Sequence, residues 1–135
     1  MVSQDIIEAV RFEISDYPEL KRLNGFKVEF TDAQIMKAAV SSLRKINFHS
    51  AYKTELTIAT CPDFLLVLGT IDKLLQAKIH EKASNYLDVV ESGTKINREG
   101  NLQIISQLSS SVTAELIRDL DDYKAQLNFD SAWGY

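Results

Sequence analysis

The chain has 135 residues, a length that fits one domain, and 45% of them are hydrophobic and 25% charged, as in ordinary globular proteins. The net charge of −4 is mild, and the last 35 residues hold two cations against five anions, which argues against a C-terminal helix that binds phosphates. Cys61 is the one cysteine, which excludes an internal disulfide and fits a reducing compartment.

A short first helix is predicted near the N-terminus. Ser3 can cap it, Asp5 lies in its first turn, and the pattern ends at about Ser15, before a proline. No basic and apolar signal-peptide pattern precedes it, so we expect a soluble protein made in a cytoplasm. The predicted buried face consists of Ile6, Ile7, Val10 and Ile14.

A turn and a short strand are predicted next. Asn24-Gly25 is a strong turn signal, and residues 26–30 then alternate apolar and polar side chains, as a half-buried strand does. We therefore expect a short strand or hairpin before the second helix.

The second helix opens with a capping box, in which Thr31 and Gln34 can each bond the other's backbone N–H. Phe30 precedes the box and can pack on Ile35. The helix is predicted to run to about Ile46. Its predicted apolar face consists of Ile35, Met36, Ala39, Val40, Leu43 and Ile46.

Residues 47–61 show the least regular pattern. Tyr52 and the segment 56–58 indicate packing contacts or a short strand, and Cys61 is interpreted as a small buried side chain before the next helix.

A long central helix is predicted from Pro62 to Leu87. Pro62 suits the first helical position, and Asp63 adds a favourable charge to the first turn. Residues 64–68 are apolar all round and are predicted to be buried on every side. From Ile71 an apolar stripe follows at helical spacing, so the second half is expected to emerge at a surface. The polar side is assigned to Asp72, Lys73, Lys78, Glu81 and Lys82.

An exposed loop or hairpin is predicted over residues 89–101, which contain two glycines and two asparagines. Helix-to-helix connections in compact bundles usually have about two to eight residues, so this loop is long enough to suggest a function. The candidate residues are Ser92, Gly93, Thr94, Lys95, Ile96, Asn97 and Arg98.

The last helix is predicted from Leu102 to about Leu127, capped by Asn101, with an apolar face that suits antiparallel packing on the central helix. The fold class is therefore mainly α: a bundle of about four helices built on two long antiparallel ones, with a short strand or hairpin and an extended loop. We divide the chain into a helical domain, 1–127, and an aromatic tail, 128–135. The tail either folds back or binds a partner, and its candidate residues are Phe129, Trp133, Gly134 and Tyr135.

No catalytic, cofactor-binding or metal-binding pattern is present in the sequence. There is no glycine-rich phosphate loop and no Cys-x-x-Cys, and His80-Glu81 lacks a second histidine at zinc-binding spacing. His49 and His80 are interpreted as surface or partly packed residues. We expect a protein that is not an enzyme and needs no cofactor.

The order of elements resembles the head-to-tail connector proteins of tailed bacteriophages, also called adaptor, head-completion or neck proteins. The resemblance rests on a short first helix, on Asn24-Gly25, and on residues 30–35 opening a second helix that ends near Asn47. It continues in the apolar run ending Leu68-Gly69, a glycine-bearing loop, and a last helix followed by an aromatic tail.

The resemblance implies a non-enzymatic virion protein that forms a ring of about twelve subunits between portal and tail, assembled in the host cytoplasm. Its implied partners are itself, the portal protein and neck or tail completion proteins. By the same resemblance, DNA would pass through the channel without sequence-specific binding, and no membrane would be involved. The tail would reach a neighbour or the portal, and the loop would face the next neck component. The alternative is a small intracellular helical interaction or regulatory module that binds through the Leu102–Leu127 helix.

Overall fold

The protein is a bundle of four helices in the computed structural model, which describes residues 4–14, 30–49, 53–91 and 99–132. The helices are α1 (Gln4–Ile14), α2 (Asp32–Phe48), α3 (Asp63–Glu91) and α4 (Glu99–Ala132). The mainly α bundle built on two long helices is thereby confirmed. None of these helices, as far as the structure describes them, is long and apolar enough to cross a membrane.

The described residues contain no strand. Phe30 lies in a bend, and the rest of the strand predicted over 26–30 lies outside the described residues. The short strand suggested for residues 56–58 is not formed, because this segment is irregular and leads into a turn. The packing contacts suggested for it are present, since Leu56 and Ile58 pack against the core.

Helix α3 is the centre of the bundle, because α1, α2 and α4 all pack on it. Among the α3 side chains that the structure describes, up to residue 81, the buried ones lie in the first half of the helix. Burying aliphatic side chains of this kind stabilises the fold by about 1.5–3 kcal/mol each. The core consists of Ile6, Ile7, Val10, Ile35, Ala39, Ile46, Cys61, Leu65, Leu66, Ile71, Leu74, Leu116 and Leu120.

The capping box of α2 is confirmed. The Gln34 backbone N–H donates to the Thr31 hydroxyl at 3.2 Å, and the Thr31 N–H donates to the Gln34 side-chain oxygen at 2.8 Å. At the same end of α2, Arg11 of α1 forms an ion pair with Asp32 at 2.5 Å. The predicted apolar face is wrong at Val40, which is 52% exposed because it lies about 100° around the helix from buried Ala39.

Two predictions about α3 are also wrong. Phe64, expected to be buried with the rest of its apolar run, is 56% exposed. Asp72, assigned to the polar side, is fully buried. Phe64 lies on the flank of α3 between α1 and α4, which other helices leave open, whereas Asp72 faces α2 and α4, where it finds polar partners.

Helix α4 is longer than predicted at both ends. It begins at Glu99 and continues to Ala132, so residues 128–132 of the predicted non-helical tail are helical. The Gln126 side chain donates to the Asp130 carboxylate one turn later, at 2.9 Å, which supports this last part of the helix.

Candidate functional site

A groove of about 500 Å³ lies between α1, α3 and α4. Its aromatic residues remain largely exposed, Phe12 at 70% and Phe64 at 56%. Exposed apolar patches of this kind usually mark contact surfaces, because a monomer gains nothing by keeping them in water. The groove is lined by Ala9, Phe12, Glu13, Asp63, Phe64, Val67, Leu68, Ile71, Glu115 and Asp119.

Among the described residues, the groove is lined by four carboxylates and by no cation; the carboxylates are Glu13, Asp63, Glu115 and Asp119. One of them is partly neutralised, since the Arg118 Nε lies 3.6 Å from the Asp119 carboxylate. The site therefore combines an aromatic and aliphatic floor with a negative rim, which favours an apolar ligand surface that carries positive charge.

Exposed apolar side chains continue along the same flank of α4. Leu108, 53% exposed, and Ile104, 65% exposed, precede Glu115 by about two and three helical turns. These spacings keep all three residues on one side of the helix. The apolar surface therefore extends beyond the groove toward the distal end of the α3–α4 pair.

The outer surface of α2 carries a second exposed apolar patch. Val40 is 52% exposed and Phe48 is 65% exposed, and Lys37 and Arg44 share their flank at helical spacing. The Lys53 ammonium lies 5.2 Å from the centre of the Phe48 ring, a cation–π contact. We call this surface the α2 face; it comprises Lys37, Val40, Arg44, Phe48 and Lys53.

A buried polar cluster joins three helices around Asp72. Its carboxylate accepts hydrogen bonds from Lys45 of α2 at 3.3 Å, from Gln76 at 3.2 Å, and from the Thr113 hydroxyl of α4. A buried carboxylate is tolerated only when it is paired and hydrogen-bonded, and all of these partners are in place. The cluster fixes the helices against each other, and no part of it opens into the groove described above.

A buried cation, Lys124, lies at the C-terminal end of α2. The Lys124 side chain of α4 is buried and donates to the backbone carbonyls of Asn47 at 3.2 Å and His49 at 2.6 Å. Burial lowers the pKa of Lys124. The ammonium therefore bonds carbonyls at the C-terminal end of α2, where the helix supplies no intrahelical donor; the Asn47 carbonyl also accepts from the Thr54 N–H at 3.0 Å. Next to it, His49 Nε2 lies 2.8 Å from the Asp121 carboxylate of the same helix.

Asn47 holds the irregular segment that follows α2. Its side-chain oxygen accepts from the Leu56 N–H and the Thr54 hydroxyl, both at 2.9 Å, and its amide nitrogen donates to the Leu56 carbonyl at 3.0 Å. The sequence pattern does not predict the path of this segment. Its backbone is held by hydrogen bonds to one asparagine side chain, and not by hydrogen bonds to a neighbouring strand.

The single cysteine is structural. Cys61 is buried and free, as predicted, and burial, followed by the Asp63 carboxylate, raises the pKa of its thiol to about 11. A thiol of this kind is protonated at neutral pH and is a poor nucleophile. Within the described residues, no group of three or more His, Cys, Asp or Glu side chains could hold a metal ion.

Of the candidate residues predicted from the sequence, the structure describes only Phe129. Phe129 lies on α4 and is 54% exposed. Trp133, Gly134 and Tyr135 lie outside the described residues, and so does the loop Ser92, Gly93, Thr94, Lys95, Ile96, Asn97 and Arg98.

The groove and the α2 face were not predicted. Phe12 offered one signal, because it falls outside the apolar spacing of the first helix, although a lone aromatic residue off the apolar face is weak evidence. Comparisons with protein-family models, with curated proteins and with solved structures find no match to this chain.

Proposed function

We propose that this chain is a structural virion subunit, a head-to-tail adaptor that forms a ring between portal and tail around the DNA channel. It acts by assembly and not by chemistry. The order of its elements resembles that of phage connector proteins, and the four-helix architecture is compatible with that resemblance.

The observation that carries the proposal is the presence of exposed apolar side chains on two separate sides of the bundle. Phe12 and Phe64 lie in the groove, and Val40 and Phe48 lie on the α2 face. Each subunit of a ring touches two neighbours through two different surfaces, so a ring subunit needs two such patches. A protein with one partner would need only one.

The charge of the protein supports a position around DNA. A net charge of −4 gives little attraction for the phosphate backbone, so DNA would slide through a channel of such subunits without being held. Within this proposal, the C-terminal residues from Phe129 onward reach a neighbouring subunit or the portal. The loop 92–98 faces the next neck or tail component.

Two measurements test this function. Light scattering and negative-stain imaging of the purified protein, alone and with particles, should find rings or incorporation at the neck. Removal of the gene from the phage should leave filled heads and free tails that do not join. Heads and tails that join normally without the protein would contradict the proposal, as would an unrelated genetic neighbourhood.

The alternative is a small helical interaction module, which the exposed Ile104 and Leu108 on α4 favour. This binding surface is narrower than the whole Leu102–Leu127 helix, because Leu116 and Leu120 are buried in the core. Particle incorporation separates the two functions, since an interaction module would be found bound to a cellular protein and absent from virions.

A further inference from the structure

We propose that the groove receives the α2 face of a second copy of this chain. One subunit would thus present Val40 and Phe48, flanked by its basic residues, to the acidic groove of the next. The inference rests on the proposed function in so far as it requires self-association, and it names the two surfaces that meet.

Charge complementarity selects this occupant. The groove carries Glu13, Asp63, Glu115 and Asp119 on its rim. The α2 face carries Lys37, Arg44 and Lys53, and among the residues that the structure describes, Lys37 and Arg44 form no ion pair within 4 Å. Opposite potentials of this kind steer association and set its orientation.

The apolar parts of the two surfaces have similar lengths. Val40 and Phe48 are separated by about 12 Å along the α2 axis, and Phe64 and Ile71 by about 10 Å along α3. A helix that lays an apolar stripe into a groove between helices is a common mode of recognition. The exposed Phe12 and Phe64 provide the aromatic anchors that such interfaces favour.

The two surfaces lie on different sides of the bundle, which allows the contact to repeat. Gly69, the point at which α3 packs on Ser42 of α2, lies about 140° around the α3 axis from Phe64 in the groove. Val40 lies about 160° around the α2 axis from Ser42, on the side of α2 that is turned away from α3. Contact between two different patches is head-to-tail, and it generates a ring when the rotation closes.

A pair of complementary variants tests this interface without requiring a complete ring. The first variant, Val40→Glu with Arg44→Glu, replaces an apolar and a basic residue of the α2 face by carboxylates and leaves the groove unchanged. Phe12→Ser with Phe64→Ser removes the groove anchors but keeps the α2 face. All four side chains are exposed, so both variants should fold, which circular dichroism and urea unfolding would verify.

Sedimentation velocity at concentrations up to about 1 mM would compare each variant alone with the equimolar mixture. We expect each variant alone to be monomeric and the mixture to form a heterodimer. The affinity of this heterodimer should fall at least about tenfold between 50 and 500 mM salt, because the charges are screened. A mixture that stays monomeric would overturn the inference.

Two further outcomes separate this interface from the proposed function. Rings that form normally from the Val40→Glu, Arg44→Glu variant would overturn the interface and leave the adaptor function standing. A heterodimer together with absence of the protein from phage necks would support the interface and overturn the adaptor function. In a single chain, Glu115→Arg combined with Arg44→Glu should recover assembly that Arg44→Glu alone weakens.

Discussion

Gly69 of α3 lies directly against Ser42 of α2, so closely that a Cβ at position 69 would be 1.9 Å from the Ser42 Oγ and 3.2 Å from its Cβ. Glycine in a helix interior costs about 0.8–1.0 kcal/mol relative to alanine. Its presence here therefore reflects the close approach of the two helices and not a preference of the backbone.

We expect Gly69→Ala to lower the free energy of unfolding by about 1–2 kcal/mol, because overpacking a buried contact outweighs the gain in helix propensity. Urea unfolding measures this change. Adding Ser42→Ala removes the nearer clashing atom and should recover most of the loss. A double variant no more stable than Gly69→Ala alone would show that the Ser42 hydroxyl is not the obstacle.

Asp72→Ala should destabilise the protein by about 2–3 kcal/mol. The substitution removes the acceptor shared by Lys45, Gln76 and Thr113, and leaves polar groups without partners in a buried site. Thr113→Val alone should cost about 1 kcal/mol. A double-mutant cycle measured by urea unfolding should give a coupling of at least about 0.5 kcal/mol between the two residues. Strict additivity would contradict a direct bond.

Lys124→Met should destabilise the protein by about 1–2 kcal/mol. The lost hydrogen bonds to the carbonyls of Asn47 and His49 are partly offset because a buried ammonium no longer needs desolvation. Hydrogen exchange should also speed up at the Leu56 N–H, since the segment held by Asn47 follows the same end of α2. The matched control is exposed Lys37→Met, for which a change within about 0.5 kcal/mol is expected.

The contribution of Cys61 to stability should fall as the pH rises from about 9 to 11. The Cys61 thiol ionises near pH 9.0 in the unfolded chain, but its pKa in the folded protein is about 11. In this window the unfolded state binds fewer protons, so its stability relative to the native state increases with pH.

The slope from this one group is at most about 1.4 kcal/mol per pH unit. Cys61→Ala should lose less stability over the same range in urea unfolding at successive pH values. The stability of the Cys61→Ala variant should still decrease above about pH 10, because burial also raises the pKa of Tyr123. Equal slopes in the wild type and the variant would contradict this assignment.

Much of the fold follows from local patterns in the sequence. The capping residues Thr31 and Gln34 and the apolar spacing in α2 and α4 are enough to place helices. Helix ends are less predictable: the sequence pattern predicts a tail from Asn128, but nothing there prevents α4 from continuing to Ala132. Local propensity gives no sharp stop without a glycine or proline.

The candidate site was less predictable than the helices. The sequence pattern predicts a solvated position for Asp72, because its partners Lys45 and Thr113 lie far away in the sequence and only the packing of three helices brings them together. The sequence pattern places Phe64 in the core because it belongs to an apolar run, yet it is exposed. Its apolar character is plain in the sequence, but the gap that leaves it exposed depends on where α1 and α4 lie.

The bond between Asp72 and Thr113 also determines how the α3–α4 pair responds to load. Sliding α4 by one turn, about 5.4 Å, would bring either Ser109 or Ile117 opposite the carboxylate. Ser109 still offers a hydroxyl donor, whereas Ile117 would leave the buried acceptor with one partner fewer, at about 1–3 kcal/mol. Sliding α4 in the direction that brings Ser109 opposite Asp72 should therefore cost less free energy than sliding it in the opposite direction. The same carboxylate also binds Lys45 of α2, so a shift of this register would disturb the contact of α3 with both neighbouring helices.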